Sequence, residues 1–276
     1  MTDPASDDER VAGIRQVWTE GDYRRIAQLF SPVSERLAVE LDVAGRQVLD
    51  AATGTGNTAI AMARAGAEVE AFDLTPLMLD RARERARAEH VQVRFREGDL
   101  TAVPFPDASF DLVVSTFGAF LCDDPAACAR ELVRVCRPGG RIVSTAWTGE
   151  GVIGSLRRAT ESRYPQLAMA DPSHEAHLVW GDPDRLPGLF EGCDVEVHLE
   201  HREVWFPFGS SEDALELFET TSGPVMRLRG AILEAGLDWD AIRSDLVREW
   251  DEVAVQTDAG VELPSTYAVA FVERRS

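Results

Sequence analysis

The chain has 276 residues, 45% of them apolar, enough for one sizeable core with an insertion but long for two independent domains. Its formal net charge is −20 and all 28 basic residues are arginine, which excludes a Walker-type phosphate lysine, a pyridoxal phosphate Schiff base and any lysine nucleophile. That charge repels polyanions over about 8–10 Å, so no nucleic-acid partner is expected, and with neither a secretory pattern nor an apolar run of membrane-spanning length the expected location is the cytoplasm, with no membrane partner.

The acidic start MTDPASDDER reads as a frayed arm, and residues 1–40 as a helical cover. Ile14, Val17 and Trp18, then Ile26, Leu29, Phe30, Val33 and Leu37, recur at helical spacing broken near Gly21 and Pro32. Residues 41–148 form the core. Gln47 to Thr53 is an apolar strand followed at once by Gly54 and Gly56, where a chain leaving a parallel strand turns sharply and leaves room for a ligand. Ala59, Ile60, Met62 and Ala63 give one helical face, which Gly66 ends. Glu68 to Asp73 is the next strand, placing the Asp73 carboxylate where a ribose diol can be gripped. Gly54, Gly56 and Ala59 also fit the weak dinucleotide pattern, but Asp50, inside the end of the first strand, would repel a pyrophosphate and suits a cationic amino-acid tail.

The string DAATGTG from Asp50 to Gly56 resembles motif I of class I S-adenosylmethionine (SAM) dependent methyltransferases, in the form found in enzymes similar to those of ubiquinone and menaquinone biosynthesis. Ala52 stands where that motif most often has glycine. The resemblance extends over about 100 residues: a third strand Val93 to Asp99, a fourth Phe110 to Thr116, a helix opened by Asp124-Pro125, the turn Arg137-Pro138-Gly139-Gly140 and a fifth strand Arg141 to Trp147. It implies an α/β fold, a Rossmann-like seven-stranded, mostly parallel sheet with an antiparallel last strand, plus a helical cover and an inserted lid. It also implies SAM as cofactor, with S-adenosylhomocysteine as product, and cofactor contacts from Tyr23, Asp50, Ala52, Gly54, Gly56, Asp73, Leu74, Met78, Asp99, Leu100, Ser115 and Phe117. Asp99 would take the adenine amino group and the Leu100 N–H the ring. The fourth strand lacks the (D/N/S)PP(Y/F) motif of the family's base and amide nitrogen methylators, consistent with the absence of a nucleic-acid substrate; O- or C-methylation is expected ahead of N-methylation.

Residues 149–192 are expected to form a lid over the methyl acceptor, with Tyr164, Met169, His174, His177 and Trp180 among polar and proline-rich turns. Phe120, Trp147 and Trp180 are candidates for the substrate pocket, and His174 or His177 for a general base. The H-x-x-H spacing of those histidines is discounted as a metal site, since Pro172 argues for a turn. Residues 193–276 supply the rest: a sixth strand Asp194 to Phe206, helices Ser211 to Thr220 and Val225 to Ala235, and a seventh strand from Pro264. Cys122, Cys128, Cys136 and Cys193 have no CxxC spacing and read as free thiols. The expected activity is methyl transfer from SAM to a small molecule of bacterial secondary or cofactor metabolism, by a monomer or homodimer. A SAM-fold protein with a non-methylating reaction such as cyclisation, and a non-catalytic partner subunit, stay open as alternatives.

Overall fold

The computed structural model describes residues 4–165 and 179–276, so Met169, His174 and His177 lie outside the described residues. Three helices open the chain: α1 (Pro4–Thr19), α2 (Tyr23–Leu29) and α3 (Ser31–Glu40). An alternation follows, β1 (Gln47–Ala51), α4 (Asn57–Arg64), β2 (Glu68–Asp73), α5 (Pro76–Ala88), β3 (Val93–Glu97), β4 (Phe110–Thr116), α6 (Pro125–Val135) and β5 (Cys136–Glu150). Then come α7 (Gly151–Arg163), β6 (Val195–Phe208), α8 (Ser211–Thr221), α9 (Gly223–Glu234), α10 (Trp239–Val253), β7 (Val255–Thr257) and β8 (Gly260–Arg274).

The strands form one sheet in the order β3-β2-β1-β4-β5-β8-β6, with β7 paired to β8. The run from β3 to β5 is parallel, and β8 lies antiparallel between β5 and β6. Strand order reverses between β1 and β4, and ligands of open α/β sheets sit beyond the carboxyl ends of the strands at such a point. The central strands are apolar on both faces because both are covered. Val48, Leu112 and Val114 pack with Leu37, Met62, Phe218 and Trp250 on one face; Leu49 and Val113 pack with Leu132, Trp180 and Phe190 on the other.

Local signals account for several boundaries. Pro125 opens α6, and the Asp124 carboxylate accepts from the Ala127 N–H at 2.8 Å, as the Asp-Pro pair predicts. Two elements go beyond the sequence reading. The short strand β7 brings the sheet to eight strands, and α10 buries Trp239, Ile242, Leu246 and Trp250 at helical spacing. The described parts of the expected lid are built into the core. In α7, Val152 and Leu156 are buried and the Ser155 hydroxyl accepts from Trp250 Nε1 at 2.6 Å, while Leu186, Leu189 and Phe190 are buried on the opposite face. Among the described residues, no helix is long and apolar enough to cross a membrane.

Candidate active site

At the β1/β4 reversal lies a cleft with an empty volume of about 1060 Å³, its mouth included. Every residue lining it falls between Arg10 and Asp123. Its floor is the turn after β1. Asp50, 1% exposed, accepts from Thr53 Oγ1 at 2.6 Å and from the Ala59 N–H at 2.9 Å, so it ties the strand to the first turn of α4. Burial pushes its carboxyl up to about 7 and the Asp73 charge adds to this, against the lowering effect of those two hydrogen bonds.

Gly54 has φ +55°, and a Cβ there would meet nothing within 4 Å, so the backbone opens on the cleft. Gly56 serves differently: at φ +86° its missing Cβ would press on Ala82 at 3.1 Å, so it lets α4 approach α5 and does not line the cleft. The Arg85 guanidinium on α5 braces the loop, donating to the Thr55 carbonyl at 2.9 Å and to Asn57 Oδ1 at 2.6 Å. Ala52 is held left-handed at φ +58°, a conformation that glycine adopts at less cost.

At the end of β2, Asp73 accepts from the Gly54 and Thr75 N–H groups, each at 2.8 Å. Burial raises its pKa despite those bonds. Leu74 and Met78 line the same wall. Beyond β3, Asp99 accepts from the Thr101 N–H (2.8 Å) and hydroxyl (2.9 Å) and from Arg10 Nη2 (2.6 Å), next to Leu100. Burial pushes the Asp99 carboxyl up, but these donors hold it below the usual carboxylate range. Arg10 thus fastens α1 over this corner. Arg15 on the same helix donates to the Leu74 carbonyl at 3.0 Å and pairs with Glu97.

Aromatic side chains make up part of the cleft lining. Trp18, Tyr23 and Phe30 come from the cover, Phe117 from the end of β4, and Trp18 and Tyr23 meet edge to face at 5.1 Å. Burial, aided by the Asp73 charge, pushes the Tyr23 phenol far above its ordinary value and keeps it neutral. Phe117, left-handed at φ +55°, stacks on Trp147 with ring centroids 3.8 Å apart. A run of hydroxyl-bearing residues also lines the cleft: Ser34 Oγ to Thr58 Oγ1 at 2.9 Å, and Thr58 Oγ1 donating to Thr116 Oγ1 at 2.8 Å.

Tyr23, Asp50, Ala52, Gly54, Asp73, Leu74, Met78, Asp99, Leu100 and Phe117 therefore meet in one cleft. Ser115 stands behind it, its hydroxyl donating to the Ala51 carbonyl at 2.8 Å and accepting from the Ala119 N–H at 2.9 Å. Trp147 backs Phe117 without lining the cleft, and Phe120 packs against both core clusters. The expectation that Trp180 lines a substrate pocket is corrected: it is 1% exposed and meets Phe190 on the opposite face of the sheet, because the chain leaving the 149–192 segment fills the gap beside α6. Arg10, Ser34, Asn57 and Thr58 are cleft residues that the sequence reading missed. Only Thr58 carried a signal, two residues past Gly56 at the start of a helix.

The Methyltransferase domain family matches residues 48–140, from β1 into β5. The chain is 36% identical over 242 residues to an uncharacterised protein of Mycobacterium tuberculosis, across 86% of this chain and 87% of that protein. It is 46% identical over 117 residues to the demethylmenaquinone methyltransferase of Deinococcus radiodurans, across 41% of this chain and 48% of that enzyme. The YcgJ protein of Bacillus subtilis shares the fold, with TM-score 0.60, 20% identity and coverage of 88% of this chain and 98% of that one. With the open turn at Gly54, two buried carboxylates flanking it and the matched domain between β1 and β5, the chain belongs to the class I SAM-dependent methyltransferases.

Proposed function

We propose that this methyltransferase acts on a small, largely apolar acceptor, such as a quinol or phenol, at an oxygen or carbon atom. The observation that supports this most is the aromatic share of the cleft lining, Trp18, Tyr23, Phe30 and Phe117, with the hydroxyl-bearing Thr58 and Thr116 in the same lining. Bound SAM supplies a methyl group already made electrophilic by its sulfonium, so the chain's task is to hold, align and exclude water. In this reading Asp73 takes the ribose diol, Asp99 and Leu100 the adenine, and Asp50 lends negative charge at the amino-acid end. Gly54 lets the backbone approach, and residues 1–40 close the cleft with Trp18 and Tyr23. The whole chain works as one unit without nucleic acid.

A phenol or enolisable carbon gains about 10²–10⁴ in rate from a base. Burial and the Asp73 charge disfavour the phenolate that Tyr23 would need to act as that base. We assign it to His174 or His177, which lie outside the described residues. His174→Ala or His177→Ala is expected to lower turnover by about one to three orders of magnitude with cofactor affinity unchanged. Full activity and an unaltered pH profile in both variants would remove them from the reaction. The substrate class is tested by incubating the protein with SAM and a panel of quinols, naphthols, amines and carboxylates, reading product mass. A methylated quinol or phenol is expected; methylation confined to amines overturns the O/C reading, and altered product beside intact SAM favours cyclisation.

A further inference from the structure

Three hydroxyls from three different elements are linked in the lining of the cleft. Ser34 comes from α3 in the cover, Thr58 from the first turn of α4 and Thr116 from the end of β4. Ser34 and Thr58 are 1% and 3% exposed, whereas Thr116 is only half-buried. Thr58 donates to Thr116 at 2.8 Å, which uses its single hydrogen, so in the 2.9 Å bond between Ser34 and Thr58 the donor is Ser34. Three hydroxyls hold three hydrogens, and the two bonds of this chain use two of them. The third belongs to Thr116 and has no acceptor among the described residues. The spare donor therefore stands at the open end of the chain, on the cleft, and not at the buried end. Thr116 is fixed from the other side as well: it pairs with Thr145 of β5, whose hydroxyl accepts from the N–H of Phe117, the next residue, at 2.9 Å. Both ends of the chain adjoin one aromatic pair. Ser34 lies four residues beyond Phe30, Thr116 immediately precedes Phe117, and those two rings are 5.5 Å apart.

We propose that Thr116 orients the methyl acceptor by donating its hydroxyl hydrogen to a phenolate or enolate oxygen of the reacting group, with Thr58 and Ser34 as positioning residues that set its direction. This names a specificity-determining residue for the acceptor reading given above and rests on that reading. Because the Thr116 oxygen already accepts from Thr58, the group it presents is a hydrogen, which suits an oxygen anion and offers little to an ammonium. Accepting from Thr58 also polarises the Thr116 O–H, since hydrogen bonds in a chain strengthen one another. A hydrogen bond made to the ionised form of a phenol favours that form and lowers its pKa. The contact that holds the oxygen in place thus also eases loss of its proton to a base. Removing the donor leaves an acceptor oxygen unpaired in a largely apolar wall, which is how such a site discriminates against a molecule that lacks the oxygen.

The test uses 4-nitrophenol, whose phenolate absorbs visible light, titrated into the full-length protein saturated with S-adenosylhomocysteine; calorimetry follows S-adenosylhomocysteine itself. The parent is expected to bind the probe saturably. Thr116→Val should weaken that binding by about tenfold or more and raise the apparent pKa of the bound probe relative to the parent, with affinity for S-adenosylhomocysteine held within about twofold. Thr116→Ser keeps the hydroxyl and should restore both. Thr58→Val leaves Thr116 in place but removes its donor, and should show the same changes at smaller size, which keeps the test open if Thr116→Val does not fold. A purely structural role would not move the pKa of the probe. Parent-like probe binding and pKa in Thr116→Val would overturn the proposal, and so would an equal loss of S-adenosylhomocysteine affinity, which would give the hydroxyl to the cofactor. Failure of the parent itself to bind 4-nitrophenol would fail the acceptor reading, and the proposal with it.

Discussion

The two halves of the sheet divide the work of the molecule. Strands β1 to β4 have 5, 6, 5 and 7 residues, and their carboxyl ends carry the cleft. Strands β5, β6 and β8 have 15, 14 and 15 residues and pair along most of their length without reaching it. Conformational strain follows the same division. Among the described residues, the non-glycine positions held at positive φ are Asp42, Ala52, His90, Ala108 and Phe117, and two of these, Ala52 and Phe117, line the cleft. Left-handed backbone costs about 1–3 kcal/mol per residue and persists where surrounding structure enforces it. The half that binds ligand therefore carries buried charge and strain, and the half that does not supplies long ladders and aromatic packing.

The largest effect should come from breaking the buttress. Trp250, 1% exposed and bonded to Ser155, is expected on Trp250→Ala to cost about 3–5 kcal/mol of stability, read by denaturant unfolding. The remaining folded protein should bind S-adenosylhomocysteine with parent affinity; a comparable loss of binding would show that the halves are not separable. The converse change is Asp73→Ala. It removes a charged acceptor from the cleft and is expected to weaken cofactor binding by about 1.5–3 kcal/mol, measured by calorimetry, while the fold survives.

How much of this division was legible in the sequence follows from the range of the interactions concerned. The turn at Gly54, the strand-end Asp73 and the Asp99-Leu100 corner are local: each is set by a few consecutive residues, so their motif placed them in one cleft. Arg10 is 89 residues from Asp99 and nothing near it in sequence announces the ion pair. Trp180 fails for a related reason. An aromatic among prolines and polar residues reads equally as a pocket wall or as a plug, and the side of the sheet on which the chain returns decided it. The period of helix α10 is masked in the sequence because charged residues separate Trp239, Ile242, Leu246 and Trp250.

A smaller effect sharpens the contrast, since it should move stability and binding in opposite directions. The Asp50 carboxyl sits at about 7 in the folded chain against an ordinary 3.8. A raised pKa means that the stability from this group is present below 3.8 and is lost as pH rises to about 7. Binding of a cationic amino-acid tail favours the ionised form, so affinity for S-adenosylhomocysteine should fall by about tenfold per unit as pH drops below 7. Asp50→Asn is expected to raise the thermal midpoint, by roughly 2–4 °C per kcal/mol of relief, and to flatten that pH dependence. Binding that is independent of pH in the parent protein would remove Asp50 from contact with the charged tail.

The most direct measurement is a pair of calorimetric titrations of the parent protein at pH 7.5, one with S-adenosylhomocysteine and one with NAD. Asp50 beside the glycine turn, Asp73 at the end of β2 and Asp99 beyond β3 together predict saturable binding of S-adenosylhomocysteine and no heat from NAD. Saturable binding of NAD with no response to S-adenosylhomocysteine would contradict the assignment of the cleft.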